Sequence, residues 1–152
     1  MMKWAAKRAP KAAGIGLCAL EAQKALKLPE HRQVTREVLD LALDSLLHEN
    51  QLYWNDSLFR GNALSVLFLE RAGRYLQRPE LQDRAGKMLI SMEKRSEAYG
   101  YFHLMEKGVR NCFDISFLEG SLGIGFAAIE VTAVIISICG SNGMCAGNNN
   151  SD

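Results

Sequence analysis

Apolar positions along the chain fall into two kinds of run, and the two kinds alternate. The first is apolar nearly all round. Gly14 to Leu26 and Asn62 to Leu76 are of this kind, and helices with such a surface are buried on most sides. The second is amphipathic. Leu81, Ala85, Met88, Leu89 and Met92 recur at i, i+4, i+7, i+8 and i+11, one face of an α-helix. Val34, Val38, Ala42 and Leu46 make a similar stripe, with Arg36, Glu37, Asp40 and Asp44 outward. Each amphipathic run follows a Pro-Glu step, Pro29-Glu30 and Pro79-Glu80. Proline suits the first turn of a helix, and glutamate suits the positive end of its dipole. A third apolar run, Leu122 to Ile138, contains Glu130. It falls short of the roughly 20 residues that span a membrane, and reads as a buried helix.

The alternation is an internal repeat. Shifting the chain by 50 places Ala13 on Ala63, Leu17 on Leu67, Leu26 on Leu76 and Leu39 on Leu89. Pro29-Glu30 falls on Pro79-Glu80 by the same shift. Gly14-Ile15-Gly16 recurs as Gly123-Ile124-Gly125, a shift of 109, so the second interval is longer. The excess is placed in a longer loop within Tyr99 to Asp114. Each unit then pairs an inner apolar helix with an outer amphipathic one. The glycines at the inner-helix starts are read as points of close approach. A lone hairpin cannot bury its inner helix, but stacked hairpins can, as an open solenoid or a closed ring. The fold class expected is all-α, and an incomplete ring would leave lateral edges exposed.

Composition adds limits. At 152 residues the chain suffices for one domain with a core. Hydrophobic residues at 48% and charged residues at 23% are ordinary for a globular protein. A net charge of +1 gives no electrostatic case for nucleic acid or an acidic membrane surface. Lys3, Lys7, Arg8 and Lys11 before an apolar stretch loosely mimic a signal peptide, but that stretch is short and broken by glycines. Cys18, Cys112, Cys139 and Cys145 form no C-x-x-C pair. Cys18, in an apolar run, is read as a small hydrophobe, and the setting as reducing and cytoplasmic.

The glycine motifs are specific in order and spacing. "KAAGIGLCAL", "NDSLFRGNALSVLFLE" and "FDISFLEGSLGIGFAAIEV" resemble the last three inner-helix motifs of the lanthionine synthetase C-like family. The nearest likeness is to the C-terminal cyclase domain of class II lanthipeptide synthetases, over roughly residues 4 to 130. The resemblance implies part of an α/α toroid of seven inner and seven outer helices. It also implies a chemistry: a zinc-bound substrate cysteine thiolate adds to a dehydrated Ser or Thr and closes a thioether ring. A cation favours the thiolate, which is the nucleophile.

The ligands that the family uses are not carried over. In the ungapped register the first-motif cysteine falls on Ala9, or on Ala5 if Trp4 is the motif tryptophan. The Cys-His pair of the second motif falls on Phe59 and Arg60. Alanine and phenylalanine offer zinc no lone pair, and arginine stays cationic. The second-motif glycine falls on Leu64, whereas Asn55, Ser57, Leu58, Gly61, Asn62 and Ala63 match. No catalytic residue, metal ligand or cofactor is therefore expected. The residues singled out are structural: Gly14, Gly16, Gly61, Asn62, Gly120, Gly123 and Gly125.

Other donors read more simply. His31 and His48 sit at the ends of an outer helix, and His103 and Cys112 share the long loop without a close-spaced ligand pair. Asp114 and Ser116 read as caps or loop anchors. Glu119 and Glu130 show no acid pair of the kind a glycosidase needs. No glycine motif matches a phosphate-binding loop. Residues 1–139 are read as a partial cyclase-like domain, and 140–152 as a disordered polar tail. The whole reads as a fragment, with a frameshift near position 131 as one origin of its ending. The function expected is that of a lanthipeptide cyclase fragment inactive on its own. Its partner would be the precursor peptide or the rest of the synthetase. The alternative is a non-catalytic helical-repeat module that binds peptide or protein.

Overall fold

The computed structural model describes residues 9–48, 52–104 and 115–141, with side chains from 11 to 133. Among these residues the fold is all-α. Five helices follow in order: α1 (Ala9–Leu26), α2 (His31–Leu47), α3 (Asn62–Leu76), α4 (Pro79–Tyr99) and α5 (Ser121–Ser141). Gly140 and Ser141 close α5. The rest of the expected tail, 142–152, lies outside the described residues, as do Cys112, Asp114 and Cys145.

The repeat is visible in the backbone. α1 is followed by Lys27 at φ 53, and α3 by Gln77 at φ 56, 50 residues later. A left-handed residue closes each of these two helices by turning the chain back on itself, a role usually given to glycine. Pro79 then opens α4, where its missing N–H costs nothing. Pro29 and Glu30 instead form the turn before α2, where the N–H of Arg32 donates to the Pro29 carbonyl at 3.1 Å.

α1/α2 and α3/α4 are hairpins, and α3 lies between α1 and α5. The three apolar helices run in one direction. Gly14 lies beside Leu64 and Gly16 beside Phe68, while Glu21 pairs with Arg71. Leu58 packs against Gly123, and Glu130 pairs with Arg71 and Arg74. α2 covers α1 and touches α3, and α4 covers α3 and touches α5. The core comprises Ala13, Leu17 and Leu20 of α1, Leu39, Ala42, Leu43 and Leu46 of α2, Leu58, and Ala63, Val66, Leu67, Phe68, Leu69 and Ala72 of α3. Leu81, Ala85 and Met92 of α4 and Ile124, Ala127 and Val131 of α5 complete it.

Two expectations need correction. The buried face of α2 is Thr35, Leu39, Ala42, Leu43 and Leu46, and Val34 is exposed. A strict i+4 row drifts by about 40° per step around a helix, so a row that ends in the core at Leu46 has left it at Val34. The second concerns burial of the apolar helices on most sides. Among the described residues it holds for α3, which has neighbours on both sides. α1 exposes Ile15, Cys18 and Leu26, and α5 exposes Leu122 and Ile129. Each of these helices has an apolar neighbour on one side only.

Candidate functional site

The loop that enters α3 is held by a polar frame. The Asn55 Oδ1 accepts from the Ser57 N–H at 2.7 Å, and its Nδ2 donates to the Leu104 carbonyl at 3.0 Å. The first bond closes a local turn of the kind asparagine favours. The Asn62 side chain pairs with the backbone of Tyr53 in both directions, each bond 2.7 Å. The Asn62 N–H donates to the Asn55 carbonyl at 2.9 Å. A Cβ at Gly61 would strike Asn55 and the Ser57 nitrogen, so only glycine fits this crossing. Ser57, Leu58, Asn62 and Ala63 are all buried. The motif residues that match the family pattern thus form the rigid part of the loop.

Asp56 anchors the frame, although sequence reasoning did not single it out. It is fully buried. Its Oδ1 accepts from Asn62 Nδ2 at 2.7 Å and from Arg95 Nη2, and its Oδ2 accepts from the His103 N–H at 3.0 Å. Arg95 also donates from Nη1 to the Tyr53 carbonyl at 2.9 Å. A buried carboxylate is tolerable only when paired and hydrogen-bonded, and Asp56 is both. Arg95 lies 39 residues from Asp56, so no local spacing in the chain announces the pair.

His103 is buried beneath Trp54, Tyr99 and Tyr101, with ring centroids 4.2, 4.9 and 5.5 Å away. Burial pushes its pKa below the usual 6.5, and the Arg95 cation pushes in the same direction. The Asp56 carboxylate and hydrogen bonding with the Trp54 backbone oppose this and do not win. The imidazole is a neutral core group. His48, by contrast, is exposed at the end of α2, with Nε2 3.1 Å from Asp44. His31 opens α2 and is exposed.

Phe59 and Arg60 project from the frame at its rim, and both are exposed. The Phe59 N–H donates to the Leu118 carbonyl at 2.8 Å, tying this loop to the one that enters α5. The Arg60 Nη2 lies 3.2 Å from Glu119 Oε1, and its guanidinium carbon is 5.3 Å from the Phe59 ring centre. Ala9 is the first residue of α1, and Ala5 lies outside the described residues. The positions onto which the resemblance would map zinc ligands carry a hydrocarbon, a cation already paired with a carboxylate, and an alanine. These residues do not fit the metal. Among the described residues no three His, Cys, Asp or Glu side chains gather as metal ligands would.

The remaining glycines divide. A Cβ at Gly16 would enter the Phe68 ring, and one at Gly123 would strike the Phe117 carbonyl and Leu58. Gly14 has ordinary clearance, with Leu64 at 3.8 Å, and around Gly125 no atom lies within 4 Å. Gly120 is buried, and its N–H donates to the Ser116 carbonyl at 3.1 Å.

A second charged cluster crosses the three apolar helices further along. Glu21 pairs with Lys24 at 3.1 Å and Arg71 at 2.8 Å, and Arg71 reaches Glu130 at 3.8 Å. Arg74 pairs with Glu130 at 3.5 Å and with buried Glu70 at 2.8 Å, and Gln82 also donates to Glu70. The Lys24 hydrogen bond holds the Glu21 carboxyl below its usual pKa. The cluster borders an open cavity of about 480 Å³ with Tyr75. Every carboxylate there faces a cation.

Among the described residues no helix is long and apolar enough to cross a membrane. No protein-family model, curated protein or solved structure matches the chain.

Proposed function

We propose that the chain is part of a lanthionine synthetase C-like cyclase domain of the α/α-toroid kind, and that it does not catalyse thioether formation on its own. The observation that carries this reading is the loop from Asn55 to Asn62. Its motif-matching frame of Asn55, Ser57, Gly61 and Asn62 is fully hydrogen-bonded or packed. The two positions that would carry chemistry, Phe59 and Arg60, stand outside that frame. Three parallel apolar helices with glycines in or just before their N-terminal halves support the same reading. The partners implied are a precursor peptide and the remaining helices of a synthetase, in the cytoplasm.

Metal analysis of the purified protein, with a thioether assay on a dehydrated precursor peptide, tests the proposal. The expected result is no stoichiometric zinc and no ring closure. Stoichiometric zinc together with thioether product would overturn it. Phe59→Cys with Arg60→His is expected to leave the protein inactive, because the first-motif position would still lack a thiol.

One observation favours a second reading, a non-catalytic module that binds peptide. Phe59, Ile115, Phe117 and Leu118 are exposed together on the two joined loops. A peptide with apolar side chains would meet them at the rim. Titration with a dehydrated precursor and with an unrelated apolar peptide, followed by tryptophan fluorescence, separates the readings. Saturable binding of both peptides with no preference for the precursor favours the module, and binding of the precursor alone favours the cyclase fragment.

A further inference from the structure

The repeat register relates the two open faces of the molecule. The α1 face that carries Gly16 is Ala13, Gly16, Leu20 and Gln23, and it is buried. The Phe68 ring of α3 fills the space above Gly16. Phe68 lies on an α3 face with Ser65, Ala72 and Leu76, at helical spacing. Shifting the α1 face by 109 gives Leu122, Gly125, Ile129 and Thr132 on α5. All four are exposed, with Leu122 at 61% and Ile129 at 69%. The hollow at Gly125 is open where its counterpart at Gly16 is filled.

What fits that face is an α3-like face. One exists elsewhere in the chain. Shifting Ser65, Phe68, Ala72 and Leu76 back by 50 gives Ile15, Cys18, Ala22 and Leu26 on α1. These four are also exposed, with Ile15 at 62% and Leu26 at 58%. Neither face carries a charged side chain among these positions. α1 and α5 sit on opposite sides of α3, so the two faces cannot meet within one molecule.

We propose that the chain self-associates head to tail, with the α1 face of one copy docking on the α5 face of the next. Cys18 of the second copy takes the place over Gly125 that Phe68 takes over Gly16. The contact repeats the α1–α3 packing across a molecular boundary. It is heterologous, so it adds copies in one direction and yields a ring or a filament, not a two-fold dimer. The inference rests on the repeat register, and the second copy takes the two faces that the remaining helices of a synthetase would otherwise cover.

Sedimentation velocity on the full chain over a wide concentration range tests it. The mass is expected to grow beyond a dimer. A Cβ at Gly125 meets no atom within 4 Å and the position is exposed, so Gly125→Phe should leave the circular-dichroism melt near that of the parent. Its association should weaken at least about tenfold, the equivalent of 1.4 kcal/mol. Gly125→Cys treated with a short bismaleimide should link the introduced thiol of one copy to Cys18 of another, as mapped by peptide mass. A monomer at all concentrations, association unchanged by Gly125→Phe, or links that join only two introduced thiols would each overturn the proposal. None of these results bears on zinc or thioether formation.

Discussion

Asp56 shows how one side chain sets the order of a whole loop. It joins the α3 entry to α4 through Arg95 and to the 101–104 segment through the His103 N–H. Asp56→Ala removes the carboxylate and leaves the Arg95 guanidinium unpaired where it is largely buried. Breaking a buried pair on one side costs about 3–5 kcal/mol, so urea denaturation should show a loss of that order. His103 brings a pH dependence whose direction follows from its lowered pKa. The folded state holds the imidazole neutral, while the unfolded chain protonates near 6.5. Its contribution is therefore complete above that value and is lost as pH falls through the lower folded pKa. Melting temperatures should drop as the pH falls below 6.5, and His103→Phe should flatten that drop. Asn55, Gly61 and Asn62 stood out in the chain as matches to a motif, and most of their contacts lie within the loop, although one Asn55 bond reaches Leu104. Asp56 and Arg95 were not, since their pairing exists only after α4 has folded back on the loop.

At the scale of the helix, the same residue type does opposite work in different places. A Cβ at Gly16 would enter the Phe68 ring, whereas at Gly86 in α4 nothing lies within 4 Å. Gly16→Ala should destabilise by about 1–3 kcal/mol through overpacking. Gly86→Ala should stabilise by about 1 kcal/mol, because glycine in a helix interior costs that much in backbone entropy. Paired urea melts of the two variants check both signs. Helix existence and the Asn62–Leu76 limits were readable from periodicity and the closing turns. The rotation of α2 was not, because its i+4 row leaves the direction of the core undetermined until α1 and α3 are in place. The start of α1 at Ala9 was also hidden, since the apolar run is read only from Gly14.

At the scale of the whole molecule, stability is spread along a line of helices. Each apolar helix contacts only its neighbours, with α3 in the middle, so each seam contributes separately. The alternation of run types made this order legible, and the exposed ends follow from it. The ion pairs linking Glu21, Arg71, Glu130 and Arg74 did not announce themselves, because partners on parallel helices lie some 50 residues apart. They are partly exposed and screened, so they contribute little beside the apolar seams. Phe68 is the strongest single link, fully buried in α3 and set over Gly16 of α1. Phe68→Ala should cost about 3–5 kcal/mol. The loss should not be shared evenly. Amide exchange is expected to be slowest in α3 of the parent, which has packed helices on both sides, and faster in α5, which has an open face. In the variant, exchange in α1 and α2 should accelerate most, because the α1–α3 seam is the one opened, while α4 keeps its own contact with α3. Equal acceleration in all helices would mean that the chain unfolds as one unit and that the linear picture fails.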